Sequence, residues 1–293
     1  MASMRDIKRR KGSIQSTQQI TKAMKLVSTV KLQRAKQHAE DSKSYFESMY
    51  DTVTSILAKA EGVNHPYLCA GESTRKAVIL ITSNRGLAGG YNSNVIKLVT
   101  RGAFKKEDLD IYAIGKKGKD LMTRYGYHIV EDHPEMIEEP NYVDAMQLCE
   151  RVLQSYTDGS IGEIYLAYTA FKNTVVHEPI LLKLLPVVQE EKAAVKTNAV
   201  TENKKEAQAI MNFEPEDEEA LNLIIPKYVT SLIYGGMVES VASENGARMQ
   251  AMDSATTNAD DIIAKLSLLY NRARQGSITQ ELTEIIAGAE AIS

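Results

Sequence analysis

Apolar residues recur at helical spacing at both ends of the chain, and between those ends the pattern changes to short apolar runs separated by polar turns. In the first segment Ile7, Ile14, Ile20, Met24 and Val27 are followed by Tyr45, Met49, Val53, Ile56 and Ala60, a helical stripe that drifts along the helix. The last segment carries a tighter series in alternating steps of four and three: Val238, Ala242, Asn245, Met249, Met252, Thr256, Ala259, Ile263, Leu266, Tyr270 and Ala273. That is the spacing of a coiled-coil seam. Its small and polar members make it thinner than a leucine zipper, so stability is expected to lean on partners. Neither Ser3 to Lys59 nor Lys227 to Ser293 contains a proline, which leaves room for unbroken helices of roughly 85 and 100 Å. Helices of that length are expected to pair with each other or with another protein. A mechanical or docking role therefore outranks catalysis.

The centre reads differently. Ala77 to Thr82 is a short β-branched apolar run, the signature of a buried strand, and the Gly-rich turn Arg85 to Asn92 follows it. Helices are expected over Asn92 to Phe104, Lys116 to Tyr125 and Tyr142 to Tyr156. Strands are expected over Leu109 to Gly115 and Tyr127 to Asp132, with Glu163 to Phe171 and Pro179 to Val188 as a hairpin-like pair at the sheet edge. This βαβαβ order defines a small, incomplete Rossmann-like domain. The expected fold class is thus α/β with a long coiled coil, in four parts: a long helix over 1–60, the α/β domain over 76–188, a charged linker over 189–213, and the second long helix over 214–293. Pro226 is expected in the first turn of that last helix, with Pro215 opening a short helix before it.

Composition changes the picture in one respect. The net charge of −3 hides an asymmetry: residues 1 to 36 hold ten cations (Arg5, Lys8, Arg9, Arg10, Lys11, Lys22, Lys25, Lys31, Arg34, Lys36) against Asp6 alone, a local +9. A block this one-sided attracts anionic partners, whether nucleic acid, lipid or an acidic protein surface. No apolar run reaches the length of a membrane helix, and the basic start is not followed by a signal core. Cys69 and Cys149 are too few and too far apart for a disulfide scaffold or a zinc site, and His38, His65, His128, His133 and His177 are scattered. The turn at Arg85 to Asn92 lies where nucleotide-binding folds cradle phosphate, but it lacks both the Lys-Ser/Thr of a P-loop and the spacing G-x-G-x-x-G. It reads as a tight turn, and no cofactor or metal is expected.

The segments MRDIKRR, TQQITKAMKLV, NRGLAGGYNSN, SLIYGGMVESVASENGARMQAM and LLYNRARQGSITQELTEIIAGAEAI closely resemble the gamma subunit of bacterial F-type ATP synthases. They are spread over the whole length. The resemblance implies a non-catalytic rotor: an antiparallel coiled coil of the two terminal helices inside a hexamer of alpha and beta subunits, with the α/β domain against the epsilon subunit and the membrane c-ring. Ion flow through the ring would turn the shaft and drive ATP synthesis, and hydrolysis would drive the reverse. Membrane association would be peripheral, through the ring, on the cytoplasmic face. Residue by residue, Arg274, Gln275, Thr279 and Glu281 resemble the part that holds a catch loop of the catalytic subunit. Met24 and Arg248 match positions near the coupling contact. Lys8, Arg9, Arg10, Lys22 and Lys25 would face acidic lever segments, and Ile285, Ile286, Ala289 and Ile292 would form an apolar tip. The sequence departs from the family pattern at Lys11, Gly12, Ala88 and Asp253. The competing readings are a basic coiled coil that holds nucleic acid, which lacks aromatic residues among its first 36 for base stacking, and a Rossmann-type enzyme with helical extensions.

Overall fold

The computed structural model describes residues 4–59, 65–69, 71, 73–102, 104–187 and 217–290. The chain divides into two compact units, one formed by Met1–Thr29 with Arg248–Ser293, the other by Val30–Ala247. Helices α1 (Met4–Lys59) and α5 (Asp217–Glu290) each contribute to both. The expected linker over 189–213 lies outside the described residues.

The larger unit is built on a five-stranded sheet in the order β3-β2-β1-β4-β5. Strands β1 (Lys76–Ile81), β2 (Leu109–Ile114), β3 (His128–Asp132) and β4 (Glu163–Phe171) run parallel, and β5 (His177–Leu185) returns antiparallel along β4. Helices α2 (Tyr91–Thr100) and α3 (Lys116–Arg124) cover one face, where Val78 and Leu80 meet Val95, Ile96, Val99 and Met122. The other face carries Ile79, Ile81 and Leu166 against α4 (Tyr142–Thr157) and the first turns of α5, through Leu148, Val152, Leu221, Ile225, Val229, Ile233 and Met237. Because β1 is covered on both faces, its sequence is continuously apolar from Ala77 to Ile81; β3 alternates exposed and half-buried positions, and its charged residues suit an edge strand.

Two expectations need correction here. Pro226 lies inside α5, which already begins at Asp217. The proline removes one helical hydrogen bond, but its neighbours Leu221, Ile225 and Val229 are at most 1% exposed and bind this turn to the sheet. The Pro226 carbonyl also accepts from the Thr230 hydroxyl at 2.8 Å. Tertiary packing thus carries the helix through a residue that would break it in isolation. Strand β5 starts at His177, two residues ahead of Pro179, because the ladder pairs Phe171 with His177 and an edge strand tolerates the missing N–H of Pro179.

Two glycines of α5 mark close approaches rather than weak helix. A Cβ at Gly236 would lie 3.0 Å from Leu166 Cδ2, and one at Gly246 would lie 2.7 Å from His177 Cε1. A Cβ at Gly12, in α1, would meet nothing within 4 Å. Gly12→Ala is therefore expected to stabilise α1 by about 0.8 to 1 kcal/mol, read as a higher helical content of the free chain by circular dichroism; an unchanged or lower content would contradict the open environment.

In the smaller unit α1 and α5 run antiparallel, since Gln18, Thr21 and Lys25 meet Asp260, Thr256 and Asp253 in turn. Within this unit the members of the expected α5 seam from Met249 to Ala273 are all buried or half-buried. The α1 stripe is different from the one its apolar residues suggest: Ile20 is 60% and Val27 58% exposed, while Thr21 and Ser28 are 8% and 2% exposed. The true stripe repeats every seven residues through Ile7, Ile14, Thr21 and Ser28, the period that keeps one face toward a partner helix. Small hydroxyl residues occupy it because they let the two backbones come close, and their own helix offers an acceptor for a buried hydroxyl, as the Gln18 carbonyl does 3.0 Å from Thr21 Oγ1.

Candidate partner-binding surfaces

The strongest candidate for chemistry in the α/β unit is the turn after β1, and its polar groups are taken up by the chain itself. Asn92 Oδ1 accepts from the Ser83 N–H at 2.9 Å, and Asn92 Nδ2 donates to Ser83 Oγ at 2.7 Å. Asn84 Nδ2 donates to the Pro134 carbonyl at 2.6 Å, and Asn84 Oδ1 accepts from the Lys116 N–H at 2.9 Å. Thr82 Oγ1 accepts from the Gly118 N–H at 2.8 Å. These bonds tie the end of β1 to the starts of α2 and α3 and to Pro134 beyond β3. The turn is a structural corner, with Leu87 and Gly89 at positive φ. Among the described residues no cluster of His, Cys, Asp or Glu has metal-binding geometry.

Three of the histidines are bonded within the fold. His65 bonds Asn222, His128 bonds Asp110 beside Arg75, and His133 bonds Glu131 beside Arg151. The Cys149 thiol is pushed up to about 12 by burial, which makes it inert as a nucleophile.

Two carboxylates have opposite environments. Burial would raise Glu163, but hydrogen bonds from Lys183 at 2.7 Å, from Lys76 and from the Tyr165 hydroxyl outweigh it and bring the group down to about 2. A depressed group stabilises the fold above its ordinary value near 4.5 and loses that contribution as pH falls toward 2. Glu239 is raised by burial to about 7, opposed only by the Phe171 N–H at 3.4 Å. Its sign is reversed: the folded state is favoured while the group is protonated and loses stability as pH rises from about 4.5 to about 7. Each effect is at most about 3 kcal/mol. Glu239→Gln is expected to remove the decline in melting temperature of the free chain between about pH 5 and 7.5; a variant whose melting temperature falls with pH as steeply as the parent would place the source elsewhere.

The sequence-derived contact residues fall in three places. Lys8, Arg9, Arg10 and Lys22 are exposed along α1, with Arg9 at 3.5 Å from Asp6 in a pair open to solvent. Lys25 is not an open cation, because Asp253 accepts from its ammonium at 2.6 Å. Met24 is half-buried beside it, and Arg248 is half-buried five residues before Asp253 on α5, about 7 Å of helix rise away. Arg274, Gln275, Thr279 and Glu281 are all exposed on α5. The Thr279 hydroxyl donates to the Gln275 carbonyl at 2.9 Å, so it bonds within its own helix. Ile285 and Ile286 are 68% and 61% exposed, and Ile278 and Leu282 extend that apolar surface at 48% and 55%. Ile292 lies outside the described residues. The pairing of Lys25 with Asp253 does not follow from the sequence reading; the one signal for it in the sequence is an unlike charge on the seam's flank.

Two long helices, antiparallel in the smaller unit, and a Rossmann-like five-stranded sheet whose usual ligand corner is bonded within the chain define the class of fold. The ATP synthase family model matches residues 3–292. Two curated relatives are the ATP synthase gamma chain of Lachnoclostridium phytofermentans, 63% identical over 100% of both chains, and the sodium ion specific ATP synthase gamma chain of Acetobacterium woodii, 41% identical over 99% of both. A chain of the Euglena gracilis mitochondrial ATP synthase, solved with OSCP, F1 and c-ring, shares the fold at a TM-score of 0.70 and 19% identity, with 99% of this chain and 94% of that one covered.

The chain belongs to the ATP synthase gamma chain family. It is thereby a non-catalytic subunit of an F-type ATP synthase. Among the described residues no helix is long and apolar enough to cross a membrane, and association with the membrane is peripheral, as part of the membrane-bound enzyme. Neither the nucleic-acid-binding alternative nor the Rossmann-enzyme alternative finds support in the comparisons.

Proposed function

We propose that the shaft acts on the catalytic hexamer through two groups of residues. Arg274, Gln275, Thr279 and Glu281 form the catch for a loop of the catalytic subunit, and Lys8, Arg9, Arg10 and Lys22 face its acidic levers. Met24 and Arg248 lie near the coupling contact, Lys25 contributes through Asp253, and Ile285, Ile286 and Ile292 form the tip that turns in the hexamer. The division into terminal helices over 1–60 and 214–293, the α/β domain over 76–188 and a linker over 189–213 goes with this reading, as does operation on the cytoplasmic face of the membrane.

The observation that supports it most is the state of α5 beyond Ala273. Among its described residues only Ser277 is half-buried there, and the rest are exposed. Among the described residues, no hydrogen bond or ion pair engages the Arg274 guanidinium or the side chains of Gln275 and Glu281. A helix with polar groups uncommitted and its isoleucines in the open is not stable on packing of its own. A shaft biases a conformational equilibrium only by touching its states unequally, and a cationic face on one helix with a polar catch on the other provides that inequality. A photo-crosslinker attached through Gln275→Cys in the assembled complex should form adducts with the catalytic subunit. Adducts with epsilon or ring subunits alone would overturn the assignment.

A further inference from the structure

The smaller unit joins its helices with few large apolar residues. Where α1 and α5 face each other, three polar contacts cross the gap at successive turns. Lys25 Nζ donates to Asp253 Oδ1 at 2.6 Å, the Thr21 and Thr256 hydroxyl oxygens are 2.8 Å apart, and Gln18 Nε2 donates to Asp260 Oδ1. Each threonine also has a carbonyl of its own helix in reach, Met252 at 2.8 Å from Thr256 and Gln18 at 3.0 Å from Thr21. With Thr256 donating along the shorter of these, Thr21 donates across the gap in place of the longer. The large apolar side chains beside this ladder do not grip α5: Ile20, Leu26 and Val27 are 60%, 63% and 58% exposed.

We propose that the ladder of Gln18, Thr21 and Lys25 on Asp260, Thr256 and Asp253 sets the axial register of the two shaft helices. A seam with a seven-residue period presents nearly the same apolar pattern after a slip of seven residues, so apolar packing discriminates weakly between registers. The ladder does not repeat. Slipped one way, Lys25 finds Asp260, but Thr21 faces Ile263 and Asp253 loses its lysine. Slipped the other way, Gln18 finds Asp253 and Lys11 finds Asp260, but Thr21 faces Met249 and no carboxylate stands opposite Lys25. Only the observed register satisfies all three residues of α1. These are positioning residues, and Lys25 acts in the shaft rather than outside it. Each slip would displace α5 along α1 by roughly 10 Å. It would carry Arg274 and Gln275 by that distance relative to Lys8, Arg9 and Arg10, and this functional consequence rests on the reading of those residues as hexamer contacts.

The test is disulfide trapping in the full chain, carrying Cys69→Ser and assembled with its partner subunits. By the same register Ile14 stands opposite Ile263. Ile14→Cys with Ile263→Cys reports the observed register, while Ile14→Cys with Tyr270→Cys and Ile7→Cys with Ile263→Cys report the two slips. With the ladder intact, the first pair should crosslink about tenfold more than either other; the individual contacts are each weak, and their number is what makes the preference. Removing the ladder by Gln18→Ala, Thr21→Val and Lys25→Ala should bring the three yields within about threefold of one another. Lys25→Asp alone should also lower the preference, and Lys25→Asp with Asp253→Lys should restore it. An in-register preference that survives all three removals, or one that the charge reversal fails to restore, would overturn the proposal. The readout needs no ATPase activity, so its failure is distinct from failure of the hexamer-contact assignment.

Discussion

Replacing Arg274 and Gln275 together by alanine is expected to lower ATP-driven ion pumping by the assembled enzyme at least tenfold while leaving the chain folded. Both side chains are exposed on α5, so their removal deletes no internal contact and alanine is the better helix former. What is lost is a guanidinium and an amide that can make charge-assisted and bidentate hydrogen bonds to a partner loop. Truncating one side of such a desolvated contact typically costs about 2 to 5 kcal/mol, against about 1.4 kcal/mol for each tenfold. The measurement is proton or sodium pumping by membrane vesicles alongside the circular dichroism of the free variant. Pumping within about twofold of the parent would place the catch elsewhere on the shaft.

Gly115→Ala is expected to have the opposite profile, a collapse of the larger unit with no contact residue touched. Gly115 joins β2 to α3 at φ 100°, and a Cβ there would lie 2.1 Å from the Thr82 carbonyl oxygen. Neither side can give way, because the Thr82 N–H is bonded to the Ile114 carbonyl at 2.8 Å and Thr82 Oγ1 to the Gly118 N–H at 2.8 Å. Left-handed backbone strain of about 1 to 3 kcal/mol adds to the clash. A total of about 4 kcal/mol is a large part of a domain's stability. Thermal unfolding of the variant should show the sheet signal lost or its midpoint lowered by at least about 10 °C. A midpoint within a few degrees of the parent would mean that the corner relaxes in a way the geometry does not allow.

The central strands of the sheet were legible because burial on both faces favours apolar runs: Ala77 to Ile81 is unbroken, and Leu109 to Ile114 is interrupted only by Asp110, which Arg75 and His128 neutralise. The α5 seam was legible for a related reason: its steps of three and four persist from Val238 to Ala273 even where the residues are Asn245 or Thr256. On α1 the same logic misled. Apolar identity pointed to Ile20 and Val27, whereas close helix approach selects Thr21 and Ser28 and leaves the bulky residues outside. Pro226 misled through local propensity, which the packing of Leu221, Ile225 and Val229 overrides. The ladder was out of reach of single-chain pattern reading, since Lys25 and Asp253 are 228 residues apart and only the register brings them together. The contact residues rest on motif resemblance; of them Arg274, Gln275, Thr279 and Glu281 are exposed on α5, whereas Met24, Lys25 and Arg248 are half-buried.

The most direct test of the central claim is to purify the chain with the alpha and beta subunits of its source and to measure steady-state ATPase with and without it. The account requires a stable complex with one copy of the chain per hexamer, and cooperative multi-site turnover that appears only when the chain is added. A hexamer that reaches the same turnover without it, or a chain that fails to assemble under gentle conditions, would contradict its role as the rotor.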